Sequence, residues 1–139
     1  MSISASALTA TRLRMDVIAE NMANSNTTRT ENGDPYRRKY VVFQEKTEDR
    51  GFASFFNRAR QAPGGVRVLE IGTDMSEFKY DFNPSHPDAD ENGFVRMPNV
   101  EVVQEMVDMM SAFRAYEANI TALNTFKDMA IKTLEIGRN

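Results

Sequence analysis

The chain of 139 residues contains no cysteine, which excludes disulfides and thiolate metal sites and leaves the redox compartment open. It has no run near the ~18 consecutive apolar residues that a membrane-spanning helix requires, so membrane insertion is not expected. Its beginning, Met1-Ser2-Ile3-Ser4-Ala5-Ser6-Ala7-Leu8, has neither the charged start nor the apolar stretch of a cleaved secretory signal. Taken alone, these absences point to a soluble cytoplasmic protein. A basic block is also missing. With 17 Lys and Arg against 20 Asp and Glu, a net charge of −3, the chain lacks the clustered cations that phosphate binding needs, and nucleic acid is not an expected partner. The densest basic cluster, Arg37-Arg38-Lys39, falls in a strand-like segment and reads as the solvent face of a sheet. There is neither a P-loop nor a GxGxxG fingerprint. A single histidine, His86, cannot build a multi-histidine metal site, and no Ser-His-Asp set can be placed around it. No catalytic residue, cofactor or metal ligand is therefore assigned.

Glycine and proline are nearly absent from the two ends. All five prolines and six of the seven glycines lie between Gly33 and Pro98, and this punctuation divides the chain into a helical start, a β-rich middle and a long helical end. Residues 3 to 24 read as a helix, rich in Ala, with Leu8, Met15 and Met22 recurring every seven residues and Thr11 and Ile18 between them. The Asn24-Ser25-Asn26-Thr27-Thr28 run ends it, because such side chains compete for backbone hydrogen bonds. In the middle, residues 36–44 and 66–71 are predicted strands, with a Gly64-Gly65 turn before the second. Residues 77–82 alternate Phe78, Tyr80 and Phe82 on one face, and Gly93-Phe94-Val95 opens a last short strand. Residues 48–62, with Phe52, Phe55 and Phe56, read either as a short helix or as a loop.

The end is the most informative segment. From Asn99 to Ile136 there is neither Gly nor Pro. Asn99 is the predicted N-cap, Glu101 sits in the favourable first turn, and Gly137 closes the C-terminus. Val102, Met106, Met109, Phe113, Tyr116, Ile120, Leu123, Lys127, Ala130 and Leu134 follow each other at alternating spacings of 4 and 3. A 3.5-residue period held this long predicts a coiled-coil seam. Val103, Val107 and Met110, and then Phe126, Met129 and Ile136, widen the apolar face at both ends, which implies more than one neighbour. The first helix is too short to cover the whole seam, so the rest is expected to meet other chains. The fold class expected is α+β: terminal helices, residues 1–30 and 99–139, paired as a coiled coil, with a β-rich middle domain at 31–98. The assembly interface is expected to include Leu8, Met15, Ile18, Asn21, Met22 and Asn24 from the first helix. From the last it takes Met106, Met109, Phe113, Tyr116, Ile120 and Leu123. A soluble coiled-coil adaptor that uses the β region to hold a ligand is the alternative.

One motif points elsewhere. Asp88-Ala89-Asp90-Glu91-Asn92-Gly93 matches the first six positions of an EF-hand loop. Asn99 stands where the bidentate Glu is needed, however, and Pro84 and Pro87 break the entering helix, so a tight acidic turn with Gly93 at positive φ is expected instead.

Five stretches carry a resemblance. Residues 20–28, Glu20-Asn21-Met22-Ala23-Asn24-Ser25-Asn26-Thr27-Thr28, resemble the Asn-rich signature that closes the N-terminal helix of flagellar rod and hook proteins. Pro35-Tyr36-Arg37-Arg38, the segment from His86 to Val100, and the segment from Glu105 to Asn119 look like the proximal-rod members of that family. Lys132-Thr133-Leu134-Glu135-Ile136-Gly137 fits as well. Phe113 departs from the pattern, standing where a small residue is expected. The resemblance implies a subunit that passes unfolded through the flagellar type III export apparatus without a cleaved signal and assembles in the periplasm. It replaces the cytoplasmic reading. The partners it implies are copies of this chain, other rod proteins, and the protein joining the rod to the export gate and MS ring.

Overall fold

The structure is a computed structural model and describes residues 2–45 and 65–137; the reading of residues 48–62 as helix or loop lies outside them. Helix α1 spans Ser2–Ala23. Its hydroxyls fold back onto the helix, Thr9 Oγ1 donating to the Ala5 carbonyl at 3.2 Å and Thr11 Oγ1 to the Ala7 carbonyl at 2.7 Å. It has no acidic residue in its first turn and no basic one in its last, so packing rather than end charge must hold it. The helix stops where the Asn-rich run begins, with the Asn24 side-chain amide donating to the Glu20 carbonyl at 2.9 Å.

Among the described residues four strands follow as two antiparallel pairs. Strand β1 (Lys39–Glu45) pairs with β2 (Val66–Thr73), and β3 (Lys79–Phe82) with β4 (Phe94–Met97). All four overlap the predicted strand segments, β1 ending one residue beyond 36–44 and β2 two residues beyond 66–71. The β1–β2 register slips between Val42 and Phe43, leaving Leu69 as the extra residue of a bulge. Opposite Tyr40 stands Gly72, over which the Tyr40 ring lies; a Cβ there would meet the ring at 2.5 Å. Glycine is needed for that close approach. The seven residues of β1, at ~3.3 Å each, match the ~22 Å between Asn21 and Ser6 along α1. The pair therefore lies along that helix, with Lys39 bonded to Asn21 and the Val66 N–H to Ser6 Oγ at 3.1 Å.

Helix α2 spans Val102–Ile136 and runs antiparallel to α1, Asn21 meeting Glu105 while Arg14 faces Asp108. Its N-cap is Glu101 in extended conformation without a side-chain cap bond, and Gly137 closes it. The expectation for Asn99 is corrected. Its Oδ1 accepts the Arg38 N–H at 2.8 Å and its Nδ2 donates to the Asp74 carbonyl at 3.0 Å and to Ser76 Oγ at 2.9 Å, so it ties the two strand pairs together. The Ser76 N–H and hydroxyl hold the Asp74 carboxyl below the usual range, with Arg38 and Arg37 assisting. The core is small: Val17, Ile18, Tyr36, Val95, Pro98 and Val100 are buried, supplied by α1, the segment before β1, β4 and the segment that leads into α2. The chain is thus α+β, two packed terminal helices with small antiparallel sheets between.

Candidate assembly interface

The predicted seam of α2 is turned from the one observed. Positions Val102, Met109, Tyr116 and Leu123 are half-buried on the α1 side. Between them, however, Glu105 and Ala112 are buried and Asn119 is half-buried, whereas Met106, Phe113 and Ile120 are exposed at 49%, 52% and 36%. Both sets keep alternating three- and four-residue steps, so periodicity alone fits either. Ala112 lets the helices approach closely, and Glu105 enters the interface because its charge is matched there. On α1 the buried residues are Ala10, Val17, Ile18 and Asn21, flanked by half-buried Leu8, Met15, Met22 and Asn24.

The match for Glu105 is built from three elements. Arg38 Nε donates to its Oε1 at 2.5 Å, and Asn21 Nδ2 donates to its Oε2 at 3.1 Å. Asn21 also donates to the Lys39 carbonyl at 2.8 Å, while its Oδ1 accepts the Lys39 N–H and the Tyr36 hydroxyl, each at 2.9 Å. That uses both donors and both acceptor lone pairs of the amide. Asn21 acts as a strand neighbour for β1 at the point where α1 ends. Burial first, and then the charges of Glu20 and Glu105, push the Tyr36 hydroxyl up to about 12, so it stays a donor. The Arg37-Arg38-Lys39 cluster is not the solvent face of a sheet: Arg38 turns inward to Glu105 and Asp108, Arg37 stacks 4.1 Å from the Phe78 ring centre, and Lys39 pairs with Glu20. Each cation has a local partner because the acidic residues come from other segments. Glu105, Arg38, Tyr36 and Asp108 were absent from the expected interface; the one trace in the sequence is a Glu at seam spacing between Val102 and Met109.

Outside this hub the helices present bare apolar surface. Val103, Met106, Val107, Met110 and Phe113 are 49–67% exposed along one side of the first three turns of α2. Helix α1 has 22 residues and α2 has 35, so α2 runs on by about 13 residues, ~20 Å at ~1.5 Å per residue. Every residue from Asn124 to Gly137 is exposed, Phe126, Met129, Ile131, Leu134 and Ile136 among them. An apolar surface of this extent marks an interaction face. Of the expected interface residues, Asn21 and Ile18 are enclosed within the chain, Met106, Phe113 and Ile120 face solvent, and the remainder lie half-buried between.

Two other places were weighed. A cleft of about 230 Å³ opens between α1 and β1, floored by Val17 and Ile18 and edged by Arg14, Arg38, Tyr40, Phe43 and Asp108; its charged groups are already paired with one another. In the acidic turn, Gly93 has φ +82° as expected. Asp90 Oδ1 accepts the N–H groups of Asn92 and Phe94, each at 2.9 Å. Asp88 accepts the Thr28 hydroxyl at 2.8 Å and its own N–H donates to His86 Nδ1 at 3.1 Å. Asp90 closes the turn on itself, Asp88 ties it to Thr28 and Arg29, and among the described residues no cluster has metal-ligand composition.

Comparison with known proteins adds a family context. The model for flagella basal body rod proteins matches residues 1–29, and that for the C-terminal region of flagellar basal body rod FlgEFG proteins matches residues 91–136. The flagellar basal-body rod protein FlgC of Bacillus subtilis is 47% identical over 146 aligned residues, covering 99% of this chain and 96% of that protein. The FlgC proteins of Salmonella typhimurium and Borreliella burgdorferi are 44% and 43% identical, each over 98% of this chain and 94% of its own length.

Proposed function

The chain belongs to the family of flagellar basal-body rod proteins FlgC, and on that premise we propose that it works by completing its helical surface on neighbouring subunits. It is a structural subunit of the flagellar basal-body rod, located in the basal body and assembling with other rod proteins. The role is structural rather than catalytic. We further place it in the proximal rod, transmitting motor torque, after export through the type III apparatus without a cleaved signal and assembly in the periplasm. The protein at the junction of export gate and MS ring is its expected neighbour on one side. Residues 1–30 and 99–139 would form the inner, stacking domain and residues 31–98 the outer one.

The observation that carries the reading is the exposed stripe of Val103, Met106, Val107, Met110 and Phe113 on a helix whose other side is already packed against α1. Solvent-facing apolar side chains lend a lone chain nothing, whereas covering each by a neighbour is worth about 1.5–3 kcal/mol. In a flagellated host carrying only the Met110→Asp chain, electron microscopy of purified basal bodies should show rods missing or truncated. Full-length rods containing that variant would sink the proposal.

A further inference from the structure

We propose that Asn32 is a site of spontaneous deamidation in the folded chain, and that Asn92, in the same Glu-Asn-Gly tripeptide, is protected from it by the structure. The sequence holds this tripeptide twice, at 31–33 and at 91–93. The two backbones turn alike. The Gly33 N–H donates to the Thr30 carbonyl at 2.9 Å, and the Thr30 N–H to the Asp34 carbonyl at 2.9 Å. In the second turn the Gly93 N–H donates to the Asp90 carbonyl at 3.0 Å, and the Asp90 N–H to the Phe94 carbonyl at 2.9 Å. Both glycines have φ +82°. Neither asparagine side-chain amide has a partner among the described residues. The tripeptide, the turn and the free amide are thus matched, and only the surroundings differ.

The reaction needs the turn to open. The glycine nitrogen, its proton removed by base, bonds to the asparagine Cγ; the bond from Cγ to Nδ2 breaks and ammonia leaves, taking a proton from water. The five-membered imide so formed adds one water and opens to aspartate or isoaspartate. Glycine permits the rotation because it has no Cβ, but the hydrogen bond from its nitrogen must first be released by local opening. Around Asn32 little resists. Residues 31–34 are exposed, a Cβ on Gly33 would meet nothing within 4 Å, and one further bond, from the Thr30 hydroxyl to the Asp34 carbonyl, holds the turn. Around Asn92 three further bonds hold it: Asp90 Oδ1 accepts the N–H groups of Asn92 and Phe94, and the Gly93 carbonyl accepts the Asn83 N–H. Gly93 is buried, with the Phe82 ring and Pro84 at 3.0 and 3.1 Å from where a Cβ would stand. Opening that turn would undo the end of the β3–β4 pair. The product at position 32 adds a negative charge near Asp34, which pairs with Arg96, and isoaspartate adds a backbone carbon between the tied ends of the turn.

The test uses the full chain, purified and held at mildly alkaline pH with and without urea. Trypsin separates the two sites, cutting after Arg29 and Arg37 around one and after Lys79 and Arg96 around the other. Mass mapping of those peptides then follows each amide as it becomes an acid. In buffer Asn32 should convert about tenfold faster than Asn92 or more, the margin set by two extra hydrogen bonds of the net strength usual in proteins. In urea the two rates should converge, because the tripeptides are the same. Equal rates in buffer, or faster loss of Asn92, would overturn the proposal, and so would an Asn32 that reacts only in urea. A gap that persists undiminished in urea would trace the difference to neighbouring residues rather than to the fold, and would overturn it too. The rod-subunit reading stands apart from each of these outcomes.

Discussion

The two ends of α2 are built on opposite principles. At its start, Glu105 is enclosed by Arg38 and Asn21, every polar atom is matched, and the surroundings dictate which residue can stand there. From Asn124 onward every described residue of the helix is exposed, and its apolar pattern has no cover among the described residues. A buried polar cluster specifies one arrangement because a half-satisfied version is costly. An apolar stripe accepts any surface of suitable shape and spacing, which suits contacts formed after folding. The helix therefore joins an internal lock to an external plug.

That contrast can be broken by substitution. The largest loss of monomer stability should follow Glu105→Ala, which leaves the Arg38 guanidinium beside an emptied interface; a cost of about 3–5 kcal/mol is expected, read from the midpoint of urea unfolding. An unchanged midpoint would show that the lock does not hold. Asn21→Ala should come next, at about 2–3 kcal/mol, because the Lys39 amide, the Tyr36 hydroxyl and Glu105 each lose a partner. Hydrogen exchange at β1 should then report loosening at Lys39 before any change at the C-terminal end of α2.

Tyr36→Phe should cost about 1 kcal/mol at neutral pH and also change the alkaline response. An unfolded tyrosine ionises near 10 and folded Tyr36 near about 12, so across that interval the unfolded chain holds fewer protons and stability falls as pH rises. Unfolding midpoints followed from pH 9 to 12 should show that decline in the wild type and a shallower one in Tyr36→Phe. The smallest effect belongs to the outer surface. Met110→Asp should alter monomer stability by less than about 0.5 kcal/mol and yet stop rod assembly. A large loss of monomer stability in that variant would mean that Met110 belongs to the lock and not to the plug.

Much of this was legible in the residues. The spread of proline and glycine marked the two helices and the strands between them, and the Asn24-to-Thr28 run marked where α1 ends. The long 3.5-residue period announced a helix that pairs. The rotation of the seam was not legible, because Met106, Phe113 and Ile120 outrank Glu105, Ala112 and Asn119 on any scale of hydrophobicity. Nor was the inward turn of Arg38, whose neighbours in sequence look like an ordinary charged surface. Nor was the place of Asn99, a residue suited to a helix cap that is drawn away by three backbone groups and a hydroxyl from distant segments.

By itself the sequence determined the two terminal helices and where they stop, the approximate strand segments between them, and that the last helix carries more apolar surface than one short partner can cover. Those follow from propensity and period, which act over neighbouring residues. Only the tertiary structure decided which side of α2 faces inward. That choice depends on bringing Asn21, Arg38 and Glu105 together from three elements, and the free energy of a buried charge is set by partners that no local window contains.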